Sequence, residues 1–224
     1  MMTMNDLTPA KVLSVFALLA TLFSPSLTFG QETASGQPPS SDPATMKDMK
    51  DWITWTPSGA EVSFRVPERP RFVERQMTMG DNQQPIKIRM YLNSFQQNLG
   101  TLVFSYHDLK QNLRDQQQID KNLDNAVAGS VANVVGQLER KPIPIKFKDI
   151  PGRQFVYQYQ QIQTQEDGTE ITRIYKVTSR IFLKGKRQYQ ITCLMDRDLF
   201  QKEIADHYLN SLQFLDVPQP TKDN

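Results

Sequence analysis

Apolar and polar positions along this chain change period several times, and each change outlines an element. Ala60, Val62, Phe64 and Val66 alternate with Glu61, Ser63 and Arg65. That period of two predicts a strand, which Pro67 and Pro70 then interrupt. A less regular strand is expected from Phe72 to Met79, turning at Gly80-Asp81-Asn82. Ile86, Ile88, Met90 and Leu92 alternate with Lys87, Arg89 and Tyr91, and Leu102, Phe104 and Tyr106 follow a polar turn ended by Gly100. Each of these strands has one polar and one apolar face, which predicts an antiparallel sheet covered by helix on one side.

From Gln116 to Leu138 the spacing lengthens to three and four. Ile119, Leu123, Val127, Val131, Val134, Val135 and Leu138 share one stripe, while Gln117, Asp120, Lys121, Asp124, Gln137 and Glu139 fall opposite. Ala126, Ala128, Gly129 and Ser130 form a small-residue patch that lets a sheet backbone approach. Asp115 and Gln118 have the spacing of a capping box, and Pro142 bars continuation, so the helix is expected to end near Leu138. Ile143, Ile145 and Phe147 then alternate, with Pro142 and Pro144 pushing that strand to an edge. Phe155, Tyr157 and Tyr159 follow the turn signal Pro151-Gly152, and a loop is expected at Glu166-Asp167-Gly168. Tyr175, Val177, Ile181 and Leu183 mark a long strand, joined through Lys184-Gly185-Lys186 to Tyr189, Ile191, Cys193 and Met195. A last helix from Leu199 to about Leu212 is expected to bury Phe200, Ile204, Tyr208 and Leu212, with Asp198 and Gln201 as its capping box. Met46, Met49, Trp52 and Ile53 suggest a short helix ahead of the first strand. The fold class is α+β: an antiparallel β-sheet flanked by a long amphipathic helix and a C-terminal helix.

The first thirty residues change the picture, because they point to export. Val12 to Phe23 is an uncharged run preceded by Lys11 and ended by Ser24-Pro25. As helix it spans roughly 18 Å, too short for a hydrocarbon core of about 30 Å, and it reads as the apolar core of a signal peptide. Thr28 and Gly30 fit the small positions of a cleavage site, which makes Gln31 the expected mature N-terminus. No cysteine follows the run, so a lipid anchor there is excluded. The organisation expected is a signal peptide over residues 1–30, a disordered linker over 31–45, one α/β domain over 46–216 and a disordered tail over 217–224. The linker and tail are rich in Ser, Pro, Gln and Thr and bury too little to offset their ordering entropy.

Composition and motifs exclude more than they assign. A net charge of +2 without a sustained basic run argues against nucleic acid. The single cysteine, Cys193, precludes an internal disulfide and shares a strand face with Tyr189 and Ile191, so it reads as a buried, inert thiol. His107 and His207 stand a hundred residues apart, without the further ligands at motif spacing that zinc demands. No Gly-x-Ser-x-Gly elbow and no glycine-rich phosphate loop occurs, and Asp196 and Asp198 read as capping groups beside Arg197. No cofactor and no metal is therefore expected. Tyr157, Tyr159, Tyr175 and Tyr189 lie on neighbouring predicted strands with Arg153, Arg173 and Arg180 close in sequence. On an exposed sheet face, Arg153, Tyr157, Tyr159, Arg173 and Tyr175 would make a partner-binding surface; half-buried strand tyrosines are the alternative.

Short motifs punctuate the element order. Trp55, Pro57, Ser58 and Gly59 lead into a strand closed by Val66-Pro67 and Pro70; three meander strands and a helix follow. Ile150-Pro151-Gly152-Arg153 opens the next strand, and Ser211-Leu212-Gln213-Phe214 closes the last helix. From about Trp52 to Phe214 this resembles the PsbP/DcrB-like α/β sandwich superfamily, in its secreted bacterial branch. The resemblance implies a central antiparallel sheet flanked by helices and a largely non-enzymatic role. Photosynthetic members assist a membrane complex and another member binds a small GTPase; none of their partner-binding residues carries over to this sequence. The function expected is a secreted or periplasmic, non-catalytic binding or accessory module. It would be a monomer that meets a cell-envelope protein and keeps no transmembrane span after cleavage. The alternatives are an exported hydrolase with an unrecognised site and an envelope protein tethered by its uncleaved signal.

Overall fold

The computed structural model describes residues 48–79, 84–95, 100–164 and 168–215. The cleavage site at Gly30 and Gln31, the linker, the tail from 216 onward, Met46 and the turn at Gly80-Asp81-Asn82 lie outside them, as do Glu166 and Asp167 of the loop that Gly168 ends. The described chain is mostly antiparallel β-sheet with two α-helices. In order it forms β1 (Ile53–Trp55), β2 (Val62–Val66), β3 (Arg71–Met79), β4 (Gln84–Phe95), β5 (Gly100–Asp108), α1 (Gln116–Ala132), β6 (Gln137–Leu138), β7 (Ile143–Phe147), β8 (Ile150–Thr164), β9 (Glu170–Lys184), β10 (Arg187–Asp196), α2 (Lys202–Asn210) and β11 (Gln213–Phe214). The larger sheet has the order β3-β4-β5-β10-β9-β8-β6, with β7 also paired to β8; the smaller is β1-β2-β11.

The centre of the larger sheet is buried from both sides. Every residue of β5 except Asp108 is buried, and so is every residue of β10 except Arg187. The pleat sends alternate side chains to two separate apolar clusters. Leu102, Phe104, Tyr106, Tyr189, Ile191, Cys193 and Met195 join one cluster with Val62, Phe64 and Val66 of β2 and Ile204, Tyr208 and Leu209 of α2. Val103, Leu194, Val177, Ile181, Phe155 and Tyr157 join the other with Leu123 and Val127 of α1. Strand β2 therefore does not extend the larger sheet, as its alternation suggested. Pro67 and Pro70 turn the chain, and β2 lies in the smaller sheet, with Phe64 against Phe104 at a ring separation of 4.6 Å. The expectation of one wet face per strand holds least at the centre, where both faces find apolar cover.

Local chemistry fixes the ends of these elements. Asp115 caps α1 by accepting from the Gln118 backbone N–H at 3.1 Å. Leu123, Ala126, Val127, Gly129 and Ser130 form the buried stripe, whereas Ala128 is exposed. The helix ends at Ala132, six residues earlier than the apolar spacing implied, and Leu138 belongs to β6 instead. The stop is a left-handed turn: Val135 has φ +51°, and the Val135 and Gly136 N–H groups donate to the Ala132 and Val131 carbonyls. The C-terminal helix is likewise shorter than expected. Arg197–Leu199 forms a 3-10 turn capped by Asp196, α2 starts at Lys202, and Gln201 provides no side-chain cap, so the Asp198–Gln201 box is not formed. Near the start, Met49–Asp51 is a 3-10 turn and Ile53 already begins β1.

Val135 is the strained residue in this set, a β-branched side chain in the region that favours glycine, 93% exposed and one position ahead of Gly136. Val135→Gly is expected to raise unfolding free energy by about 1 kcal/mol, the relief of left-handed strain exceeding glycine's greater chain entropy. A denaturant titration checks it through a higher midpoint at unchanged slope; a lower midpoint would contradict the strain.

Candidate functional site

The partner surface expected from the tyrosines and arginines is not formed, because the face they share is the one α1 covers. Tyr157, Tyr159 and Tyr175 are buried in the cluster beneath α1, with Phe155 stacked on Tyr157 and Tyr159 on Tyr175. Burial pushes the Tyr157, Tyr159 and Tyr175 hydroxyls above the ordinary phenol range. Tyr189 lies in the opposite cluster. Arg153 is buried as well: its Nε donates to Asp124 at 2.7 Å and its Nη2 to Asp120 at 2.8 Å, tying β8 to the polar flank of α1. Arg173 is half-buried, donating to Gln163 at 3.0 Å and to Asp196 at 3.2 Å. Arg180 donates to the Leu209 carbonyl at 3.0 Å and to Asn210 at 2.9 Å, a cation at the C-terminus of α2. Arg153 and Arg180 thus clamp helices to the sheet, Arg173 ties strands together, and the tyrosines belong to the core.

Other reactive side chains are also committed. Burial raises the Cys193 thiol well above its ordinary value, leaving little thiolate. The His107 imidazole is held neutral by burial, its pKa lowered to about 4. His207 packs edge-on against Trp52 at 5.0 Å. Asp196 caps the turn before α2, and Arg197 pairs with Asp198 at 3.1 Å. Among the described residues no group of His, Cys, Asp and Glu is placed to hold a metal ion.

Where the smaller sheet stops, a charged row crosses the larger one. The register sets Glu74 of β3 opposite Arg89 of β4, Arg89 opposite Tyr106 of β5, Asp108 opposite Arg187 of β10, and Arg187 opposite Lys184 of β9. Directly opposed residues share a face, so side chains distant in sequence converge. The Arg89 and Arg187 guanidinium groups flank the Tyr106 ring at 5.5 and 5.2 Å, and the Tyr106 hydroxyl donates to the Ser58 carbonyl at 3.0 Å. Arg187 donates through Nε and Nη2 to the two Asp108 oxygens at 2.6 and 3.1 Å. This two-point pairing, with Lys186 and Arg89 nearby, holds the Asp108 carboxyl below the usual range. Glu74 is likewise lowered, first by Lys87 at 3.0 Å and then by Arg89 at 3.1 Å. Beside the row lies an open hollow of about 290 Å³ lined by Pro85, Ile86, Lys87, Arg89, Asp108 and Lys110. Sequence reading missed it because its cations come from separate strands and turns; the charge-bearing alternation of Lys87 and Arg89 was the one available signal.

No family model matches the sequence, and no curated protein matches it. A solved structure from Bacteroides thetaiotaomicron VPI-5482, determined at 1.50 Å, is similar at a TM-score of 0.37 and 12% identity. The similarity covers 74% of this chain and 49% of that one, so this chain matches about half the length of its neighbour.

The neutral burial of His107 has a pH consequence. An unfolded histidine takes a proton near its ordinary 6.5, whereas the folded one does so only near 4, so the unfolded state binds more protons between those values. Stability should fall by roughly 3 kcal/mol as pH drops through that window. His107→Gln should flatten that portion of the curve in denaturant titrations at several pH values; an unchanged slope would show that His107 titrates freely in the fold.

Proposed function

We propose that this chain is a secreted or periplasmic, non-catalytic binding or accessory module. In this reading its sheet and helices form an α/β/α sandwich of the PsbP/DcrB-like kind. It acts as an exported monomer, and its docking element is the open edge of β3, which pairs an extended segment of a cell-envelope protein. The observation that carries the reading is the state of that edge. Strand β3 pairs with β4 without a break from Arg71 to Met79, and among the described residues no strand lies on its other side. An edge of that length presents a row of outward N–H and C=O groups, and it carries no proline, lysine or bulge to blunt it. Strand addition uses such a row for affinity and alternate side chains for selectivity.

Charge indicates the occupant. Arg71 stands exposed on the edge strand, while Glu74 is already held by Lys87 and Arg89. An acidic extended segment complements that balance, whereas a second copy would bring the same arginine to the seam. Support for a binding role rather than a hydrolase comes from His107 and Asp196, both buried and away from the hollow, and from Asp108, whose carboxylate at the hollow is held at two points by Arg187. Support for export is the uncharged Val12 to Phe23 run, and no helix among the described residues is long and apolar enough to cross a membrane.

The test uses a photoreactive side chain placed at Phe72, with Ile162 on β8 as control, in the native compartment. Crosslinks to one partner are expected from position 72 and not from 162. Backbone alternation turns one of the consecutive Arg75 and Gln76 N–H groups outward, so either Arg75→Pro or Gln76→Pro should fold yet lose the crosslink. Equal crosslinking at both positions, a crosslink to a second copy, or indifference to both prolines would contradict edge docking.

A further inference from the structure

Separate from the β3 edge, the hollow at the charged end of the sheet has an unbalanced charge. Asp108 is matched at two points by Arg187, and Glu74 is shared between Lys87 and Arg89. Arg89 uses only its Nε in that contact, and the exposed Lys110 side chain forms no ion pair among the described residues. The cations around the hollow therefore outnumber its carboxylates, and both carboxylates are already engaged. Their lowered pKa values keep them ionised and paired at neutral pH, which holds the guanidinium groups in place.

We infer that this hollow binds a phosphate-type dianion, either free in solution or as a phosphomonoester headgroup. Three features select the ligand class. The unused fork of Arg89 suits the tetrahedral oxygens of a phosphoryl group, with Lys110 and Lys87 supplying point charges beside it. The volume of about 290 Å³ lies at the lower end of ligand sites, enough for a phosphoryl group and a short organic arm. The wall is mixed, with Pro85 providing an apolar side against which that arm can rest. Tyr106 backs the site: both guanidinium groups lie within cation–π distance of its ring, and its hydroxyl is anchored to Ser58, which fixes the surface on which they rest. A monocarboxylate offers half the charge and a planar group, and it binds more weakly in such a site.

Backbone amide shifts of the full chain lacking only residues outside the mature form should be followed while inorganic phosphate, glycerol 3-phosphate or acetate is added at constant ionic strength. Saturable shifts are expected at residues 86–89 and 108–110 with both phosphates. Arg89→Gln and Lys110→Gln should each weaken binding about tenfold, and Arg140→Gln should leave it unchanged. A parallel arm adds vesicles of phosphatidylcholine with or without phosphatidic acid. Saturation by glycerol 3-phosphate assigns a soluble source, and a response confined to vesicles containing phosphatidic acid assigns a lipid headgroup; both outcomes support the site. Shifts that rise linearly, that acetate reproduces at the same concentration, or that both variants leave intact would overturn it, as would no response in either arm.

Discussion

Double-sided burial of β5 and β10 is the constraint on which the rest of this structure depends. A strand that is apolar on both faces needs cover on both, and the chain supplies α1 for one face and the β1-β2-β11 layer with α2 for the other. Burying a large apolar side chain is worth about 1.5–3 kcal/mol, so aromatic residues such as Phe104, Tyr106 and Tyr189 contribute much of the gain. A polar group at the centre of the sheet is satisfied locally: Ser179 bonds Thr192 at 2.7 Å and receives the Gln190 amide at 3.2 Å. With both faces of these strands occupied, the unpaired backbone of the larger sheet lies at its border, along β3.

Charged side chains reinforce this arrangement by attaching the covering elements. Arg153 holds the polar flank of α1, Arg180 holds the C-terminus of α2, and Arg187 reaches the Gly59 carbonyl beside the smaller sheet. Each draws a carboxylate or carbonyl from another element into a partly dry setting, where geometry counts for more than on an open surface. The same logic produces the charged row. Once Arg187 has bound both Asp108 and Gly59, the exposed Lys110 and Lys186 leave this end of the sheet with more cations than carboxylates.

Much of the fold was legible in the sequence, because period-two alternation located most strands and the Asp115 cap located the start of α1. The long helix failed at its end: Val134 and Val135 kept the helical spacing, but a left-handed turn intervened and sent Leu138 into a strand. Strand β2 looked like its neighbours, since alternation gives a strand's faces and not its partner. The site was harder to read. Tyr157, Tyr159 and Tyr175 do share a face, as their spacing requires, yet only tertiary contact shows that α1 covers it. Lys87, Arg89, Lys110, Lys186 and Arg187 come from separate segments, so no local run of charge announced their convergence.

Native-state hydrogen exchange tests the claim that the centre of the sheet is sealed and its β3 border open. Amides of β5 and β10 should be the slowest in the domain and exchange only on global unfolding, while along β3 alternate amides exchange quickly and the others slowly. Uniform slow exchange across β3, or fast exchange within β5 and β10, would contradict the account.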